Sequence, residues 1–257
     1  MSRPVALITG ATSGIGRAIA EQLSSTHHLL IGGRDSTRLS DTLGALESAE
    51  PFAVELTDAA AVAQACAGIE HLDVLVHSAG VASLGPIAEA SAEEWQRVLS
   101  VNVTAAAVLT AALLPALRAS AGTVVFINSG AGLHASPQWG VYAASKFALT
   151  ALADALRAEE SGRVRVISAH PGRVATPMQA EINAWEGRPY RAEHYLSPTD
   201  VATAVVSAIR LPQQATVTTL RITPSSSSPP RPIAIGGGAP TSHDTATNPD
   251  GCGSGHE

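Results

Sequence analysis

The chain is poor in several residue types: one lysine, two cysteines, and three each of Phe, Trp and Tyr among 257 residues. Cys66 and Cys252 lack metal-ligand spacing, and the second sits in a Gly-rich stretch, which excludes a disulfide framework and a Cys-ligated zinc site. Cations are also in deficit. With Lys+Arg 16 against Asp+Glu 22, the net charge is −6, and the excess of positive charge needed to hold nucleic-acid phosphates is missing. Charged residues make up only 15% and hydrophobic ones 45%, so the chain supports a sizeable core rather than global disorder. Met1 to Pro4 leads directly into an apolar run without a signal-peptide pattern, which predicts a cytoplasmic protein. The uncharged run from Val98 to Leu117 contains Ser100, Asn102, Thr104, Thr110, Pro115 and many alanines, so it reads as a buried helix rather than a membrane span. His27, His28 and His134 have no ligand spacing, and no metal site is expected.

What is present is alternation. Apolar runs at Val5–Thr9, Leu29–Gly32, Phe52–Glu55, Val74–His77, Thr123–Asn128, Val164–His170 and Val217–Thr223 read as strands. Helical patterns at Gly16–Ser25, Ser36–Ser48, Ala59–Ala67, Ala92–Leu117, Val141–Glu160 and Pro198–Arg210 separate them. Repeated βαβ units predict one doubly wound, Rossmann-type parallel sheet of about seven strands with helices on both faces, spanning residues 1–223. Arg173–Leu196 reads as a long irregular segment, of the kind that forms lids over sites. Residues 224–257 are dominated by Ser, Pro and Gly without an aromatic residue, and read as a disordered tail.

Two motifs carry chemistry. Thr9-Gly10-Ala11-Thr12-Ser13-Gly14-Ile15-Gly16 joins the first strand to the first helix. Glycines there permit a tight turn and close approach to a pyrophosphate, and the helix N-terminus adds unpaired N–H groups and partial positive charge. In the second motif, Tyr142 and Lys146 stand at i and i+4 on one helix face. A free tyrosine titrates near about 10, and a nearby ammonium favours its phenolate. All the other basic side chains are arginine, so the one lysine marks a position where a compact point charge was kept.

With these motifs the sequence resembles the short-chain dehydrogenase/reductase family, in its short single-domain branch, over nearly all of Pro4–Thr223. The resemblance implies a cofactor turn at Thr9, Gly10, Ser13, Gly14, Ile15 and Gly16. It implies cofactor contacts from Glu55-Leu56, from Ser78-Ala79-Gly80 and from Pro171, Gly172, Val174 and Thr176. It also implies catalytic roles for Asn102, Ser129, Tyr142 and Lys146. Tyr142 would act as general acid in carbonyl reduction and base in alcohol oxidation. Lys146 would lower the phenol pKa and bond the nicotinamide ribose, Ser129 would hold the substrate oxygen, and Asn102 would position a relay water. Relatives usually carry Asn-Asn-Ala-Gly where this chain has His77-Ser78-Ala79-Gly80, and His77 reads as structural. Relatives also often place Asp where this chain has Glu55, which is expected to accept from the adenine amino group. Pairing through the two long helices is common in the family, implying a homodimer or homotetramer.

The second strand ends Leu30-Ile31-Gly32-Gly33-Arg34, with no carboxylate for a ribose 2′-hydroxyl and a guanidinium suited to a 2′-phosphate. NADP(H) is therefore expected over NAD(H), with Asp35 the residue that argues for NAD. The chemistry expected is carbonyl–alcohol interconversion on a small molecule, with neither nucleic acid nor membrane as partner. Two alternatives stand: a cofactor-binding regulatory or scaffold protein on the same fold, and an epimerase or dehydratase.

Overall fold

The computed structural model describes residues 3–225. The strands are β1 (Val5–Thr9), β2 (His28–Gly32), β3 (Ala49–Phe52), β4 (Val74–His77), β5 (Thr123–Ile127), β6 (Arg165–Pro171) and β7 (Thr219–Ile222). They form one seven-stranded sheet in the order β3-β2-β1-β4-β5-β6-β7. Every neighbouring pair is parallel. The doubly wound fold read from the sequence is thus the observed one, and the chain reverses its winding between β1 and β4. Residues 224–257, read as a disordered tail, lie outside the described residues beyond Ser225.

Side-chain alternation along the strands builds two cores. Ala6, Ile8, Val74, Val76, Val125, Ile127, Ile167 and Ala169 face one side, under helices α1 (Gly14–Leu23) and α8 (Pro198–Ile209). Leu7, Leu75, Val124, Phe126 and Val166 face the other, under α3 (Ala59–Cys66), α5 (Ala105–Ala119) and α6 (Gly140–Glu159). Burial on both faces explains why these strands read as continuous apolar runs rather than as alternating ones.

Three elements depart from the sequence reading. The third strand runs Ala49–Phe52 rather than Phe52–Glu55. It is an edge strand with Glu50 and Pro51 exposed, and Pro is tolerated where an N–H would face solvent. The stretch read as one helix over Ala92–Leu117 is divided into α4 (Ala92–Leu99), a π-turn at Ser100–Thr104, and α5. The helical run Ala92–Ala119 is long and apolar enough to cross a membrane by length and composition. Here Leu109, Leu113, Ala116 and Leu117 are buried in the core. Finally, the segment read as irregular contains α7 (Pro177–Trp185). Thr176 caps it by accepting from the Gln179 N–H, with Pro177 in the first turn, while its buried face carries Gln179 and Asn183 beside Ile182.

His77 ends β4 as a buried structural side chain. Its Nε2 lies 2.8 Å from Thr110 Oγ1 and its ring stacks on Phe126 at 4.9 Å. Burial pushes its pKa down to about 3 from 6.5. The unfolded chain therefore takes up this proton first as the pH falls, and stability drains from about pH 6.5 towards about pH 3 at about 1.4 kcal/mol per unit. Urea unfolding of wild type and His77→Asn between neutral and mildly acidic pH is expected to show the shallower acid loss in the variant. Equal slopes would mean that the imidazole is not buried neutral.

Candidate active site

The implied site residues meet at the C-terminal ends of β1, β2, β4, β5 and β6, beside the β1/β4 reversal where doubly wound folds hold ligands. Thr9 Oγ1 accepts from the Ser78 and Ala79 N–H groups at 3.1 and 3.2 Å, locking the β1 turn to the strand end at Ser78-Ala79-Gly80. Gly10 has φ +63, and a Cβ there would stand 2.8 Å from the Ala79 backbone. A Cβ at Gly16 would stand 2.5 Å from the Gly10 carbonyl oxygen, so the turn folds tightly onto α1. Gly14, at φ +54, faces Thr176, whose Cγ2 would be 3.0 Å from a Cβ. Ile15 follows and packs against the core.

The start of α1, like that of α6 at Trp139, has no side-chain cap, whereas five other helices do. Side chains of Asp35, Asp58, Ser91, Thr176 and Ser197 cap α2 (Ser36–Gly44), α3, α4, α7 and α8. Ser13, at the same position of α1, makes no capping bond. The α1 amides are thus left for an external acceptor, and the glycine cradle fits a dinucleotide pyrophosphate. Gly10→Ala is expected to cost about 2–4 kcal/mol from left-handed strain plus the clash with Ala79. Thermal unfolding checks this, and an unchanged melting temperature would show that the turn relaxes freely.

Just beyond the end of β2, Arg34 is exposed. Both carboxylate oxygens of Asp35 are engaged by Arg38, through its N–H at 2.9 Å and its Nε at 3.5 Å. Glu55 Oε1 accepts from the Thr57 N–H and hydroxyl at 3.1 and 2.8 Å. These bonds, more than the Arg34 charge, hold the Glu55 carboxyl below its usual range. Leu56 lines a small hollow with Thr9, His77, Ala79 and Asn102.

On the other side stand Tyr142 and Lys146, one turn apart on α6 and both buried. Lys146 Nζ donates to the Ile127 carbonyl at 3.1 Å and lies 5.8 Å from the Tyr142 ring centre. It faces Gly80, where a Cβ would stand 3.9 Å from Nζ. Burial brings the Lys146 ammonium down to about 8. The lowering of the phenol expected from Lys146 is not what dominates. Burial pushes the Tyr142 phenol up, and a hydrogen bond with the Ser129 hydroxyl opposes that rise. Ser129 follows β5, and its Oγ also accepts from the Ala131 N–H at 3.1 Å.

Asn102 lies on the π-turn and grips the Val81 backbone at both ends, accepting from its N–H at 2.8 Å and donating to its carbonyl at 2.9 Å. The same Nδ2 reaches Ser145 Oγ at 2.9 Å, and that hydroxyl donates to the Tyr142 carbonyl at 2.7 Å. Asn102 thus ties the strand end at Gly80 to the Tyr142 turn, a link through Ser145 that residue types alone did not suggest.

The third wall is Pro171–Thr176. Gly172 N–H bonds the Ile222 carbonyl at 2.8 Å, and Val174 is buried and bridges to Leu196. Arg173, between them, pairs both guanidinium ends with the buried Glu186 carboxylate at the end of α7. It also covers the Trp139 ring at 5.6 Å, while Trp139 meets Tyr142 edge-on at 5.8 Å. Trp139 and Glu186 were not singled out from the sequence. The only cue was the scarcity of tryptophan, with one placed three residues before Tyr142.

Comparison with known proteins agrees with this geometry. Residues 4–187 match the short chain dehydrogenase family. The chain belongs to that family. It is 33% identical over 240 residues to the glycine betaine reductase ATRR of Emericella nidulans, covering 87% of this chain but spanning only 19% of that longer protein. It is 34% identical over 230 residues to the NADPH-dependent 3-dehydrocapnine reductase of Ornithobacterium rhinotracheale, covering 82% of this chain and 80% of that one. Among solved structures, the alcohol dehydrogenase of the archaeon Thermococcus sibiricus complexed with 5-hydroxy-NADP superposes with a TM-score of 0.78 at 27% identity. That match covers 86% of this chain and 96% of the other. The protein is thus an oxidoreductase of the short-chain dehydrogenase/reductase family.

Proposed function

We propose that the protein interconverts a carbonyl and a secondary alcohol with NADP(H), using Tyr142 as the proton donor in reduction and acceptor in oxidation. The observation that carries this reading is the buried Tyr142 phenol, hydrogen-bonded by Ser129, with the buried Lys146 cation one helical turn away. The nicotinamide, when bound, supplies or accepts the hydride at the substrate carbon. The residues of this chain manage the proton. Ser129 already accepts from Ala131 through its oxygen, which keeps its own proton for an oxygen presented beside Tyr142. At neutral pH Lys146 is below its value of about 8 and charged, so its field favours the phenolate left when Tyr142 gives up its proton. One of its three donors is held by Ile127, and we assign the others to the nicotinamide ribose. We assign the pyrophosphate to the uncapped start of α1 and the 2′-phosphate to Arg34. The NADPH dependence of the Ornithobacterium reductase and the NADP analogue held by the Thermococcus enzyme support this choice.

The test is a panel of aldehydes and ketones followed by NADPH absorbance. Turnover of at least one carbonyl supports the reading. Tight NADPH binding without turnover across a broad panel would favour a regulatory or scaffold role instead.

A further inference from the structure

His170 is the second-last residue of β6, immediately before Pro171, is 1% exposed, and has no part in the proton path above. Its Nδ1 lies 3.0 Å from the Ser129 carbonyl oxygen and its Nε2 lies 2.9 Å from Ser168 Oγ. A carbonyl only accepts, so Nδ1 carries the proton. Burial lowers the imidazole pKa. Of the charged groups acting on the ring, both on α6, Lys146 adds to the lowering and Asp154 opposes it. The ring is therefore neutral at pH 7, and the bare Nε2 accepts the Ser168 hydroxyl proton. Ser168 Oγ accepts in turn from Asn128 Nδ2 at 3.5 Å, and Asn128 Oδ1 receives the Ser129 N–H at 2.9 Å. Gly132 N–H also bonds the Ser129 carbonyl, at 2.9 Å. Both main-chain polar groups of Ser129 are thus held by buried side chains, Asn128 on one end and His170 on the other.

We propose that His170 is a positioning residue for the reaction: its Nδ1–H tautomer fixes the main chain of Ser129 and so aims the Ser129 hydroxyl at Tyr142. This rests on the proposed carbonyl–alcohol chemistry, in which that hydroxyl holds the substrate oxygen. A hydroxyl set on the turn just after a strand has no regular ladder to orient it, and small displacements of an orienting group carry large rate losses.

Two amide substitutions separate the two bonds of the ring. An Asn amide falls near the Nδ1 position and retains a donor for Ser129, whereas a Gln amide reaches towards the Nε2 position and retains only the link to Ser168. His170→Asn is expected to keep kcat near wild type. His170→Gln is expected to lose about 10- to 100-fold in kcat, with KM and NADPH affinity little changed. Nitrogen NMR of histidine-labelled protein is expected to show the neutral Nδ1–H form of His170 at pH 7. The ring-carbon resonance of Tyr142, assigned by its loss in Tyr142→Phe, is expected to move in His170→Gln and to stay in His170→Asn. The NMR readings need no substrate, so a protein that reduces nothing would refute the proposed function while these still decide the positioning. An Nε2–H tautomer overturns the proposal. So do equal effects of the two substitutions, whether both harmless or both damaging.

Discussion

Tyr142→Phe is expected to cut carbonyl reduction by roughly a thousandfold in kcat while leaving NADPH binding nearly unchanged, since general acid–base groups typically contribute about 10²- to 10⁴-fold. The substitution removes only the phenol oxygen. The ring stays packed edge-on against Trp139 at 5.8 Å, and Ser129 Oγ keeps its bond from the Ala131 N–H, so no buried polar atom is stranded. What disappears is the proton for the developing alkoxide. Lys146→Met should behave differently, lowering both rate and NADPH affinity, because one cation is assigned to the phenolate and to the ribose. Steady-state kinetics beside NADPH fluorescence titration separate the two patterns. A Tyr142→Phe enzyme that turns over at the wild-type rate would remove Tyr142 from the mechanism.

The parts of this site that could be read in the sequence are those where chemistry demands a residue type at fixed spacing. A phenol and an ammonium must share a helix face, and that i,i+4 pair survives as two buried groups on α6. Glycines must follow β1 for the turn to close, and Gly10 and Gly16 are indeed pressed against Ala79 and against each other. Strand runs buried on both faces were equally legible. What depends on packing was not. The edge strand Ala49–Phe52 contains Glu50 and Pro51, so no apolar run marks it. The π-turn at Ser100–Thr104 shifts a hydrogen-bond register without changing composition. Helix α7 hides because its buried face carries Gln179 and Asn183, which bond each other at 2.7 Å and so tolerate burial. The phenol pKa is the sharpest case. Proximity of a cation argued for lowering, but the depth at which Tyr142 is buried makes desolvation the larger effect, and depth is not written in residue spacing. The role of His170 is illegible for the same reason, since it is a polar residue inside an apolar strand whose partners lie 41 residues away at Ser129 and two away at Ser168.

Arg34→Ala is expected to lower kcat/KM for NADPH by about 10- to 100-fold while leaving NADH nearly unaffected, since a hydrogen bond to a charged group contributes about 1.5–3 kcal/mol. The two cofactors differ only at the adenosine 2′ position, where NADP(H) carries a phosphate and NAD(H) a hydroxyl. A carboxylate at the end of β2 would accept from that hydroxyl and repel the phosphate. This chain ends β2 at Gly32, with Gly33 next, and the nearby Asp35 has both oxygens turned to Arg38 as the cap of α2. A Cβ at Gly33 would strike Thr12 Cγ2 at 2.3 Å, so the small residue is what lets the β1 turn lie close to the end of β2 beside Arg34. Arg34 is exposed and acts on the partly occupied Glu55 carboxylate, which is no bidentate partner because its Oε1 already takes two bonds from Thr57. Its fork is therefore available for a phosphate in a way that a guanidinium paired at both ends to a buried carboxylate, such as Arg173, is not. The measurement is kcat/KM for both cofactors in wild type and Arg34→Ala, repeated at raised salt, where an exposed guanidinium–phosphate contact weakens. A wild type that prefers NADH, or an NADPH preference that survives the loss of Arg34, would overturn the assignment of the 2′-phosphate to this residue.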